Sequence, residues 1–210
     1  MDYRYDSFFA SVIKKEGISK IEIPDDIKFL SWNYDLQIEK AYFGYCGNEQ
    51  KVIEDITLYL GSRRIYRLNG YCGTTQAGHI GEEFKETFSV KEKMSNVVLK
   101  LYADYILNGY TPDINFAWEI NENYFNNSIH EITRDIKTVI VIGYSFPFFN
   151  REIDKKILDT LEGIDELYIQ TPRNTFEGIK ERMGTICKNL PEPILIEDVS
   201  QFYIPFNYNI

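Results

Sequence analysis

Histidine is scarce in this 210-residue chain: there are two, His79 and His130. Neither has a neighbouring ligand pattern, which disfavours metal catalysis, so no metal is expected. The three cysteines, Cys46, Cys72 and Cys187, are odd in number and widely spaced, with no Cys-x-x-Cys pair. That argues against a zinc knuckle or a redox dithiol and predicts free thiols in a cytoplasmic protein. No stretch approaches the roughly 20 apolar residues of a membrane span. The start, MDYRYDSFFASV, carries acids where a signal peptide has a basic start. Positive charge is short too: 23 Lys and Arg stand against 32 Asp and Glu, a net charge of −9. Such a surface repels nucleic acid and anionic membranes, so neither is an expected partner, and any phosphate must be met locally by backbone amides or a few arginines. Internal repeats and low-complexity tracts are absent.

What the chain has is apolar and aromatic mass. Apolar residues make up 44% and aromatics 15% of it, with 16 Tyr and 14 Phe, enough for a ring-rich core. No composition shift marks a boundary, so residues 1–210 are expected to form a single domain. The stretch that organises the rest is KTVIVIGYSFPFFN, residues 137–150. An apolar run with no polar alternation, Val139 to Ile142, predicts a strand buried on both faces, the kind found in helix-covered parallel sheets. It stops at Gly143, which permits a tight turn or a close approach. Asn150 is a candidate N-cap for a helix whose Ile153, Ile157, Leu158 and Leu161 share one face. Ligands of open α/β sheets sit beyond the carboxyl ends of strands, which makes Gly143, Tyr144 and Ser145 candidate ligand residues. An ordinary strand-to-helix connection reads equally well.

Other elements follow the same alternation. A short helix is expected over residues 7–16, capped by Ser7 with Phe8 and Val12 inward and Phe9 and Ile13 as further candidates for that face, then a linker over 17–26. A strand over 27–33 runs into a helix from Asp35, which Gly44 or Gly47 ends; Asp35 can serve there simply as its cap. Residues 52–60 fit a strand or a short helix, and residues 61–70 a strand at a sheet edge, closed by Asn69 and Gly70. A glycine-rich loop follows over 71–83, then helical periodicity over 84–107. Residues 111–124 form an aromatic connection, followed by a helix over 126–137. After the central strand and its helix come a strand over 166–172, a helix over 175–189 and a strand over 193–198. Helix and apolar strand alternating with short connections predict an α/β, Rossmann-like, mostly parallel doubly wound sheet. The aromatic tail, QFYIPFNYNI, should pack back rather than leave its rings exposed.

Three strand ends carry a family resemblance. SWNYD (31–35) resembles the T-x-N-x-D element of the SIR2-like (sirtuin-like) group; RLNG (67–70) sits where that group often has K-L-H-G; VIVIGYSFP (139–147) resembles its strand ending in G-[TY]-S. The set spans about 31–172 and is most similar to bacterial sirtuin-like proteins, some of which act in phage defence by consuming NAD. The resemblance implies an NAD hydrolase, releasing nicotinamide and ADP-ribose, with NAD as substrate or ligand. Asn33 and Asp35 would then lie near the nicotinamide ribose, where an amide holds a hydroxyl or water and a carboxylate supports the oxocarbenium charge of glycosidic cleavage. Gly143 and Ser145 would hold the adenosine side, with Gln170 near the adenine ribose. Tyr144 would lie against the site through its ring or point into the core.

Two departures stand beside the resemblance. The histidine of H-G is Asn69 here, an amide that cannot take a proton near neutral pH. His79 in the glycine-rich loop could replace it or simply be solvated. The G-A-G-x-S turn that follows the family's first strand and cradles the pyrophosphate is absent, as is the zinc module of true sirtuins. The expectation is a sheet without its usual first strand, either the C-terminal part of a longer protein or a shortened homologue. Deacylation is disfavoured; simple NAD hydrolysis with water held by Asn33, a non-catalytic nucleotide-binding or regulatory module, and a structural domain are the alternatives. The expected partner is a small-molecule nucleotide, with a homo-oligomer or an upstream segment left open.

Overall fold

Asp2 opens the first helix: its carboxylate accepts a hydrogen bond from the Arg4 backbone N–H at the start of helix α1 (Tyr3–Val12) in the computed structural model. The structure describes residues 2–16, 20–35, 37–46, 65–74, 112–114, 122–161 and 163–205, with residues 103 and 119. It divides into two units, residues 1–28 with 120–210 and residues 29–119, and each is taken by itself.

Helix α1 buries Phe9 and Val12, which lie three residues apart and so share a face. It begins earlier than the periodicity predicts, so Ser7 lies inside it and is not its cap. It also ends sooner, because the chain leaves as strand β1 (Lys14–Glu16), which pairs antiparallel with β2 (Lys20–Glu22) across the expected linker.

In the second unit, strand β3 (Phe29–Ser31) leads to helix α2 (Gln37–Cys46), and β3 pairs parallel with β4 (Ile65–Arg67). Helix α2 buries Ile38, Ala41 and Tyr42, the spacing of one helical face. Residues 71–74, expected as loop, instead continue in strand β5 (Gly70–Thr74), antiparallel to β6 (Pro112–Ile114). The elements expected over 52–60 and 84–107, apart from residue 103, and the part of the loop that holds His79, lie outside the described residues.

Back in the first unit, helix α3 (Glu122–Thr133) buries Phe125, Ile129 and Ile132. It stops short of residue 137, at a turn where Asp135 takes φ 63°. There follow β7 (Thr138–Ile142), a 3-10 turn (Phe148–Asn150), α4 (Arg151–Asp159), β8 (Glu166–Gln170), α5 (Arg173–Ile186) and β9 (Ile194–Ile196). The three strands form one parallel sheet in the order β7-β8-β9, with Ile142 opposite Gln170 and Gln170 opposite Ile196. Helices α4 and α5 provide the crossovers that parallel pairing requires. Ile153, Ile157, Leu158 and Leu161 are all buried, as their spacing predicts, each contributing roughly 1.5–3 kcal/mol.

The expectation of a doubly covered strand at 139–142 is corrected. β7 is only half-buried, and Ile142 is 36% exposed. The buried strand is β8, where Leu167, Tyr168, Ile169 and Gln170 are all enclosed. β8 has a strand on each side, whereas β7 has one sheet neighbour among the described residues. The tail packs back as far as it is described: Phe202 stands edge-on to Tyr5 at 4.8 Å, and the Tyr203 ring lies 4.9 Å from Tyr168. Two small parallel sheets flanked by helices make this an α/β protein.

Candidate functional site

Parallel pairing sets the carboxyl ends of β3 and β4 side by side, with Ser31 opposite Arg67. The chain past these ends carries Asn33, Asp35 and Asn69, and each has a different fate. The Asn33 backbone is fixed at both polar groups. Its N–H donates to Ser31 Oγ at 3.1 Å, and its carbonyl accepts from Arg67 Nη1 at 2.9 Å. Its side chain is exposed. Asp35 turns to the helix: Oδ1 accepts from the Gln37 N–H at 3.1 Å and Oδ2 from Gln37 Nε2 at 3.2 Å. That is the cap alternative, a carboxylate satisfying a free donor at the positive end of α2. Asn69 donates its Nδ2 to the Trp32 carbonyl at 2.8 Å, so its amide ties the β4–β5 corner to the loop after β3.

The pair that holds this corner was not singled out from the sequence, where Arg67 read only as edge polarity. Arg67 Nη2 lies 2.6 Å from both Glu39 carboxylate oxygens, and the two side chains are 9% and 6% exposed. A buried charge is tolerable only when paired and hydrogen-bonded, and both conditions are met. The only available signal was an arginine at the very end of a strand, a place where its fork can reach several acceptors.

In the other unit, the sheet's carboxyl edge carries Gly143, Tyr144, Ser145 and Gln170. Gly143 has φ 65°, is exposed, and would have nothing within 4 Å of an added Cβ. Ser145 is exposed, and its carbonyl accepts from Arg182 Nε at 2.7 Å. Tyr144 points its hydroxyl into the fold. The hydroxyl donates to Asp154 Oδ1 at 2.8 Å and accepts from Asn150 Nδ2 at 3.0 Å, while the ring stands edge-on to Phe146 at 4.9 Å. Asn150 occupies the N-cap position, as its place before the helix predicts, but spends its side chain on Tyr144 rather than on a helix N–H. Burial raises the Asp154 carboxyl to about 6, opposed by the Tyr144 hydrogen bond; burial likewise pushes the Tyr144 hydroxyl up.

Gln170 is 4% exposed and fully employed. Its Nε2 donates to the carbonyls of Asp198 and Gln201, each at 2.5 Å, and its Oε1 accepts from the Tyr203 N–H at 3.1 Å. The strand-end position expected near an adenine ribose thus holds a staple for the 198–203 backbone.

Among the described residues, no group of three or more His, Cys, Asp or Glu side chains is placed to hold a metal ion, and no helix is long and apolar enough to cross a membrane. Cys187 is a free, buried thiol. Compared with protein-family models, curated proteins and solved structures, the chain matches none.

Proposed function

We propose that this chain is a sirtuin-like module of the Rossmann-like, doubly wound kind that binds a small nucleotide of the NAD or ADP-ribose class. The observation that carries this reading is the corner beyond β3 and β4: Asn33 presents an exposed amide while both of its backbone polar groups are held. An amide both donates and accepts, which suits the hydroxyl pair of a ribose. Paired carboxyl ends of parallel strands are where open α/β sheets take nucleotides. The binding reading is preferred to catalysis because Asn69, at the position of the family's base, cannot accept a proton and has committed its N–H to Trp32. Calorimetry with ADP-ribose on the wild type and Asn33→Ala tests it. Heat in the wild type and weaker binding in the variant are expected; no heat from either at millimolar ligand removes the reading.

NAD hydrolysis is the second reading, favoured by the Asp35 carboxylate two residues from the exposed amide. Asn33 can orient a water, and Asp35 supplies negative charge for the oxocarbenium ion. A nicotinamide-release assay decides: release that disappears in Asn33→Ala makes the protein an NAD glycohydrolase, whereas background signal from both proteins leaves it a binding module.

A further inference from the structure

Two consecutive carbonyls in the loop after β3, those of Trp32 and Asn33, are each taken by a side chain from the β4 region, Asn69 Nδ2 at 2.8 Å and Arg67 Nη1 at 2.9 Å. The second of these donors is unusual in its cost. A guanidinium enclosed to 9% exposure is desolvated, and Glu39 at 2.6 Å answers its charge. An ion pair that served only to join β4 to α2 would be complete with Nη2 and the two Glu39 oxygens. The remaining arm of the fork instead reaches the carbonyl of a residue whose own side chain is exposed. Three contacts from one rigid, planar group fix the Asn33 peptide relative to both β4 and α2.

We propose that Arg67 is the positioning residue of Asn33. Clamped by Glu39, it sets the direction in which the Asn33 amide leaves the strand end, and so the geometry in which that amide meets a ribose hydroxyl. The ligand part of this rests on the nucleotide reading above; the positioning itself does not. Arg67 touches no ligand in this scheme and acts through Asn33. A lysine has one ammonium and no fork, so it can keep the charge opposite Glu39 but cannot hold both acceptors in one plane.

The test uses backbone 15N relaxation together with ADP-ribose calorimetry on the wild type, Arg67→Lys and the exchanged pair Arg67→Glu/Glu39→Arg. The wild-type order parameters at Asn33 and Tyr34 are expected near ~0.85 and those of Arg67→Lys below ~0.6, with β8 unchanged. Affinity for ADP-ribose should fall about tenfold in Arg67→Lys, the scale of one lost charge-assisted hydrogen bond. The exchanged pair restores opposite charges but places an acceptor-only carboxylate at 67. Rescue of folding without rescue of order at Asn33 therefore supports positioning over a merely structural role. If the exchanged pair does not fold, Arg67→Lys alone decides. Order and affinity both unchanged in Arg67→Lys overturn the proposal. Should the wild type bind no ADP-ribose, the nucleotide reading fails and the order parameters still decide: loosened residues 33–34 uphold the clamp, unchanged ones overturn it.

Discussion

Tyr144 and Asp154 meet through a hydrogen bond of 2.8 Å that joins the turn after β7 to the first turn of α4, with Asn150 completing the cluster from the N-cap position. Asp154 is 2% exposed and has no cation within ion-pair distance among the described residues, so burial is what shifts it. Its carboxyl stands at about 6 in the fold against an ordinary value of 3.8. Between about pH 4 and 6 the folded chain therefore holds a proton that the unfolded chain has lost. Stability contributed by this group is full below the unfolded pKa and is lost as pH rises through the folded one. Asp154→Asn keeps an oxygen for the Tyr144 hydroxyl and does not titrate. The wild-type free energy of unfolding in urea should fall relative to that of Asp154→Asn across this window, by roughly 1–3 kcal/mol. Parallel pH profiles for the two proteins would contradict a buried, titrating carboxyl.

Tyr144→Phe tests the same cluster from the other side. The ring and its edge contact with Phe146 remain, but Asp154 loses a donor and Asn150 an acceptor. Leaving buried polar groups unsatisfied costs roughly 1–3 kcal/mol. Because the Tyr144 bond lowers the Asp154 value, its removal raises that carboxyl further, and the pH-dependent loss extends above 6. Urea unfolding at pH 5 and pH 8 should show the larger loss at pH 8, where the carboxylate is ionised without its donor. Equal losses at both pH values would mean that the hydroxyl does not serve the charged form.

The helices were legible where period and burial coincide. In α4, Ile153, Ile157 and Leu158 face inward, and Leu161 in the turn just after it continues their line, because a 3.6-residue period places them on one stripe. Asp154 falls on the same stripe, at i, i+3 and i+4 with Ile157 and Leu158, so the period places a carboxylate inward without showing what satisfies it; its partner, the tyrosine ten residues earlier, lies across a turn and leaves no periodic trace. β7 shows the converse. Its apolar run announces a strand, but run length says nothing about how many neighbours a strand has, and the more polar β8 takes the covered place. At the candidate site, the positions of Asn33, Asp35 and Asn69 past paired parallel strands were legible from strand-end motifs. The cap role of Asp35 was legible as the plainer alternative; the partner of Asn69 was not, since it lies across a corner formed by residues 37 apart. Gln170 was read as a strand-end polar group because nothing near it in sequence shows that residues 198–203 return to it.

Gly143 is held at φ 65° with open space around the position of a Cβ. A side chain there meets no neighbour, so any cost is conformational. Gly143→Ala should destabilise by about 1–2 kcal/mol, and Gly143→Asn by less, because asparagine tolerates the left-handed region better. Guanidinium unfolding of the three proteins gives the ranking. If alanine proves neutral, the turn after β7 does not keep its positive φ in solution.

Gln170 offers the sharpest separation between holding a ligand and holding the chain. Its amide meets three backbone groups, the carbonyls of Asp198 and Gln201 and the Tyr203 N–H, and this return brings Phe202 to Tyr5 and Tyr203 to Tyr168. Gln170→Ala strips all three of their partner, so the 198–203 segment should loosen at a cost of roughly 1–3 kcal/mol. Gln170→Glu should be worse at neutral pH, because a carboxylate retains the Tyr203 N–H but turns an acceptor, and a buried charge, toward two carbonyls. Limited digestion with a protease that cuts after aromatic residues reads this directly. Cleavage at Phe202 and Tyr203 should rise from wild type to alanine to glutamate, while β8 amides keep their exchange protection. Unchanged cleavage in both variants would mean that the tail is held by its rings alone and that the strand-end amide is free for another role.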